Sequence, residues 1–103
     1  MQLIKTLIVT SVLTLGGLAP AHGEDSLTVL VTGANRGLGL EFARQLNEQG
    51  YQVIGTARNP GDARALNKLK IRVEQLDVTD TDSVKALAQR LEDVPIDVLI
   101  NNA

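Results

Sequence analysis

The chain has 103 residues, room for one small domain, with 44% hydrophobic and 21% charged side chains and a formal net charge of -2. It has no cysteine, which excludes disulfides, thiolate metal sites and a cysteine nucleophile, and its one histidine, His22, stands near the N-terminus, which argues against a histidine metal centre or triad. No basic cluster is dense enough for nucleic acid, and with aromatics at 2% a core has to come from Val, Leu, Ile and Ala.

Residues 1–21 have the layout of a secretory signal peptide: Lys5, an apolar run from about Thr6 to Leu18, then Ala19-Pro20-Ala21 with small residues at alternate positions. The run is short of the roughly 20 apolar residues a bilayer requires, so no stable membrane span is expected. Cleavage after Ala21 would give a periplasmic or secreted protein; the alternatives are an uncleaved N-terminal anchor and an extension on a cytoplasmic protein. No twin arginine indicates export in a folded, cofactor-loaded form. A polar linker, residues 22–26, leads into the folded part, residues 27–103.

Leu27–Thr32 (LTVLVT) predicts a buried strand. After a glycine turn, Gly37–Gln49 reads as a helix with Leu38, Phe42 and Leu46 every four residues, Ala43 beside them and Gly50 as its C-terminal cap. Tyr51–Thr56 predicts a second strand. Asn59 and Pro60 suit the cap and first turn of a short helix that buries Ala63, Leu66 and Leu69. Ile71–Asp77 predicts a third strand with Ile71, Val73 and Gln75 on one face. Thr79 with Asp82 resembles a capping box, and Val84, Leu87, Ala88 and Leu91 form the apolar stripe of the next helix, which Pro95 stops. Ile96–Asn101 predicts a fourth strand.

Strand–helix alternation with short connections implies α/β structure with parallel strands and right-handed crossovers. The expectation is the N-terminal part of a doubly wound parallel-sheet Rossmann fold, four strands in the order 3-2-1-4. The fourth strand would be an apolar edge, and the last helix would cover one face nearly alone. Such sheets bind ligands beyond the carboxyl ends of strands 1 and 4, where the glycine turn and the final Asn101-Asn102-Ala103 fall.

The turn, Val31–Gly39 (VTGANRGLG), carries T-G-x-x-x-G-x-G on Thr32, Gly33, Gly37 and Gly39. Glycines let backbone N–H groups approach an anion at a helix N-terminus, and a pyrophosphate suits such a site. A P-loop is excluded, since no Gly-Lys-Ser/Thr follows. The bland alternative is a tight turn with a close helix–strand contact.

TGANRGLG (Thr32–Gly39), LDVTD (Leu76–Asp80) and the final NNA resemble the cofactor half of the short-chain dehydrogenases/reductases, across Leu27–Ala103. A softer likeness is to the carbonyl reductase and C-factor-like branch. The resemblance implies that Gly33, Gly37 and Gly39 shape a pyrophosphate loop, with Asn35 in the turn and the Leu38 N–H facing the phosphates. It implies that Asp77 takes the adenine amino group beside the Val78 backbone. Asn101 and Ala103 belong to the family's N-N-A-G motif, which lines the ribose side; for Asn101, bracing of the fourth strand is the competing role. The chain stops inside that motif, which points to truncation.

Cofactor choice rests on Arg36 and Arg58. A carboxylate at the end of the second strand would hold the ribose 2'-hydroxyl of NAD. Thr56-Ala57-Arg58 offers none there, whereas guanidinium groups suit the 2'-phosphate of NADP. NADP(H) is therefore expected over NAD(H), against the alternative of two solvated surface arginines. The family's chemistry also needs a tyrosine with a lysine four residues on, and a serine. The one tyrosine, Tyr51, is followed four residues later by Gly55. The expected function is the NADP(H)-binding portion of an oxidoreductase acting on a carbonyl or alcohol substrate, with no catalytic residue and no metal in this chain. The alternatives are a noncatalytic nucleotide-binding or signalling module, and a truncated gene product without independent function. Substrate identity and oligomeric state leave no trace in these residues.

Overall fold

All four residues of Thr28–Val31 are buried, as a parallel strand covered on both faces has to be. The computed structural model describes residues 3–6 and 26–102. Its strands are β1 (Leu3–Thr6), β2 (Thr28–Val31), β3 (Gln52–Ala57), β4 (Arg72–Gln75) and β5 (Ile96–Ile100). All pair in parallel in one sheet, ordered β1-β5-β2-β3-β4. The four strands expected from the sequence thus stand in the order 3-2-1-4.

The helices are α1 (Gly37–Glu48), α2 (Arg64–Asn67) and α3 (Thr81–Arg90), with a 3-10 turn at Pro60–Asp62. Strand side chains alternate between faces, so two cores form. Val29, Val31 and Val53 meet Phe42, Ala43 and Leu46 of α1 and Leu66 of α2. Leu30, Ile54 and Ile96 meet Leu87 of α3 and Leu91 just beyond it. One face carries two helices and the other carries α3, as expected.

Six local expectations change. β5 is not an edge: β1 pairs outside it, with Leu3 opposite Ile96, Lys5 opposite Val98 and Thr6 opposite Leu99. β1 falls in the segment expected to be a signal peptide; residues 7–25, which complete that segment and most of the linker, lie outside the described residues. Leu38 is 58% exposed and not part of the buried face of α1, which is Gly39, Phe42, Ala43 and Leu46. A four-residue repeat drifts about 40° per step around a helix, which carries Leu38 off the stripe that Phe42 and Leu46 occupy.

The helix expected after Asn59 is split. The Asn59 side chain makes no cap; its carbonyl accepts the Asp62 N–H at 2.9 Å, and the backbone at Ala63 (φ -87°, ψ 66°) leaves the helical region before α2 begins. Gly61 weakens helix propagation in this turn, and the break delivers Ala63 into the core. Gln75 does not join Ile71 and Val73 in that core; its carboxamide accepts from Ser83 Oγ at 3.0 Å. The cap of α3 is Asp80, which accepts the Asp82 N–H at 3.0 Å, while the Thr79 hydroxyl turns back to Asp77. Ser83 takes the buried place expected of Val84, which is 43% exposed.

Candidate dinucleotide site

The backbone of the glycine turn is fixed from two sides. From β3, Thr56 accepts the Gly33 N–H on its hydroxyl at 3.2 Å and the Ala34 N–H on its carbonyl at 2.8 Å. From the end of β5, Asn102 donates its N–H to the Thr32 hydroxyl at 3.0 Å and its amide to the Gly33 carbonyl at 3.0 Å. Asn101 accepts from the same hydroxyl at 3.2 Å. Thr56 is 1% exposed, so the β3 side of this clamp is internal to the fold, whereas Asn101 on the β5 side is exposed.

Beyond the clamp the chain opens toward solvent. Gly33 and Gly37 have φ of 61° and 60°, the left-handed region that other residues enter at a cost. Arg36 is extended at the start of α1, whose first turn has neither a side-chain cap nor an acidic residue. The first helical bond is Leu40 N–H to the Arg36 carbonyl, at 3.3 Å. The N–H groups of Gly37, Leu38 and Gly39 therefore have no acceptor within the helix, and they carry its positive end. A side chain at Gly37 would meet nothing within 4 Å, whereas one at Gly39 would sit 2.2 Å from the Gly33 carbonyl oxygen and 2.5 Å from Asn102 Nδ2. Gly37 thus keeps space open above the helix, and Gly39 lets the helix close on the turn.

A cleft of about 570 Å³ spreads from this turn over the carboxyl ends of β3 and β4. Gly33, Asn35, Arg36, Gly37, Arg58, Asp77 and Val78 line it, seven of the expected contacts in one place. Three others sit around it. Leu38 is on the outer side of α1, Gly39 lies beneath the turn, and Asn101 accepts from the Thr32 hydroxyl behind it. Ala103 lies outside the described residues.

Asp77 is acceptor-ready. Its Oδ1 receives the Thr79 hydroxyl at 2.6 Å and the Thr79 N–H at 3.0 Å. Those bonds, with the charge of Arg58 adding to them, hold its carboxyl below the usual range, so it is ionised at neutral pH. Val78 beside it is 51% exposed, an apolar surface at the rim of the cleft.

Thr56, Asn59, Asp62, Thr79 and Asn102 also stand at the site, a place the sequence does not assign them. Thr56 and Asn102 act across the fold, and no local pattern betrays them. Asp62 is an acid shortly past the second strand and not at its end, and the 3-10 turn is what brings it back to the cleft. Tyr51 lines a different groove, at the amino ends of the strands.

A family model described as short chain dehydrogenase matches residues 27–103. A 3-oxoacyl-(acyl-carrier-protein) reductase of Buchnera aphidicola is 43% identical over 83 residues, covering 74% of this chain and 33% of that protein. Among solved structures, an actinorhodin polyketide ketoreductase with NADPH aligns at a TM-score of 0.69 and 36% identity, over 81% of this chain and 35% of that one. A putative short-chain dehydrogenase/reductase from Burkholderia multivorans with bound NADP aligns at 0.70 and 36% identity, over 76% and 36%. The chain spans about a third of the length of such relatives.

Proposed function

The chain belongs to the short-chain dehydrogenase family, and we propose that it is the NADP(H)-binding portion of a reductase acting on a carbonyl or alcohol substrate. One observation carries this reading: a single cleft gathers the glycine turn, both arginines and the Asp77-Val78 pair. The residues present fit a dinucleotide. The open N–H groups at the start of α1, with Gly37 clear above them, suit a pyrophosphate. The ionised Asp77 suits an exocyclic amino group, and the exposed Val78 suits the face of a base. Arg36 and Arg58 suit a 2'-phosphate. NADP(H), when bound, supplies the hydride; these residues hold and orient it. Asn101 and Asn102 set the turn from behind, and the acid–base group for the substrate comes from outside the cleft described.

The test is direct titration of NADP+ and NAD+ against the wild-type chain and Arg58→Asp, by calorimetry or fluorescence. The wild type should prefer NADP+. A charge-assisted hydrogen bond contributes roughly 1.5–3 kcal/mol, so losing one should weaken NADP+ binding roughly 10-fold to 150-fold. Arg58→Asp should also reverse the preference, since it repels the phosphate and offers a partner to the ribose hydroxyl. Equal affinities in the wild type, or a preference untouched by the substitution, would leave the arginines as surface charge.

A further inference from the structure

The charged groups on the cleft wall are Arg36, Arg58, Asp62 and Asp77. Two cations face two anions, so the wall as a whole is not the cationic site that the arginines alone suggest. Asp77 has partners in Thr79 and a use in the site. Asp62 has neither among the described residues: its carboxylate makes no ion pair or side-chain hydrogen bond there, and it is exposed on the same wall as both arginines.

Its position is nevertheless built. The Asp62 N–H is bonded to the Asn59 carbonyl at 2.9 Å. The Pro60 carbonyl, one turn back, accepts the Ala63 N–H at 3.2 Å and Asn67 Nδ2 at 2.8 Å. Ala63, the next residue, is 5% exposed and anchored in the core. The 3-10 turn is pinned at both ends, and Asp62 stands on it between the buried anchor and the cleft.

We propose that Asp62 is a specificity-determining residue that opposes the two arginines and narrows the preference for NADP(H) over NAD(H). This rests on the dinucleotide reading above. NADP(H) differs from NAD(H) by one 2'-phosphate, nearly dianionic at neutral pH. A carboxylate carried on a pinned turn of the wall that receives it repels that group and leaves the ribose hydroxyl of NAD(H) unopposed. The site then accepts both cofactors with a moderate bias.

The experiment titrates NADP+ and NAD+ against wild type, Asp62→Asn and Asp62→Lys, at low and high salt. Asp62→Asn should raise the NADP+/NAD+ affinity ratio about threefold to tenfold, the scale of exposed charge pairs acting on a divalent group. Asp62→Lys should raise it further, and the gain should shrink as salt screens it. An unchanged ratio, with the wild type binding both cofactors, overturns the role of Asp62 and leaves the dinucleotide reading standing. A raised ratio that is indifferent to salt also overturns it, since repulsion at an exposed site has to be screened. A wild-type chain, folded by circular dichroism, that binds neither cofactor overturns this proposal together with the reading beneath it.

Discussion

Gly37 and Gly39 stand two residues apart and do different work, which a pair of substitutions separates. Alanine at Gly37 meets open space but a positive φ, and should cost about 1 kcal/mol of stability. Alanine at Gly39 meets the Gly33 carbonyl at 2.2 Å, a backbone atom that cannot swing aside, and should cost about 3 kcal/mol. It should also weaken NADP+ binding, because the turn and helix separate. Urea midpoints of the two variants measure the difference; equal midpoints would remove the distinction. The glycine spacing announced a turn of this kind in the sequence. Which glycine served φ and which served contact was not legible, because the contact partners, Gly33 and Asn102, are brought together only by the sheet.

The best-read elements are those with a long apolar period. α1 and the strands β2 and β3 fall within two residues of their expected ends, since each presents a face to a core that periodicity reveals. The departures fall on short or polar segments. α2 is a single turn, and β4, itself within two residues of its expected ends, closes on a glutamine whose partner is a serine on α3. β4 is also held by ions. Glu74, 12% exposed, accepts from Arg90 at 2.6 Å and from Arg72 at 2.7 Å, tying the strand to the end of α3. Burial pushes the Glu74 carboxyl up, but the bonds from Arg90 and Arg72 together outweigh it and hold it below the usual range. Its contribution is therefore present above the ordinary glutamate pKa and is lost as pH falls through the lower folded value. Glu74→Gln should cost about 1–2 kcal/mol at pH 7, after allowance for the solvent around both arginines. The gap between variant and wild type should start to narrow as pH falls through the ordinary glutamate range and close below the lowered folded value. A difference in denaturant titrations that does not narrow with falling pH would assign the effect to packing.

For the molecule as a whole, the sheet order and the division of helices between faces were legible, because alternation and handedness leave few arrangements. The strand β1 was not, since its residues read as the start of a leader. The cleft holds no tyrosine, and Tyr51 lies at the opposite end of the strands. The purified chain should therefore show no NADPH-dependent carbonyl reduction, whatever its cofactor affinity. Turnover that copurifies with it through successive columns would contradict this. The clamp on the glycine turn has a further consequence, in time. The Asn102 bonds to Thr32 and Gly33 join residues 70 and 69 apart. A ribosome adding roughly 5–20 residues per second needs about 4–14 seconds to pass from one partner to the other. Through most of that interval the turn has only its Thr56 bonds, from the β3 side. The part that receives the nucleotide is among the first of the folded region to leave the ribosome and among the last to be braced on both sides, so a nucleotide meets the complete clamp only once synthesis has reached Asn102.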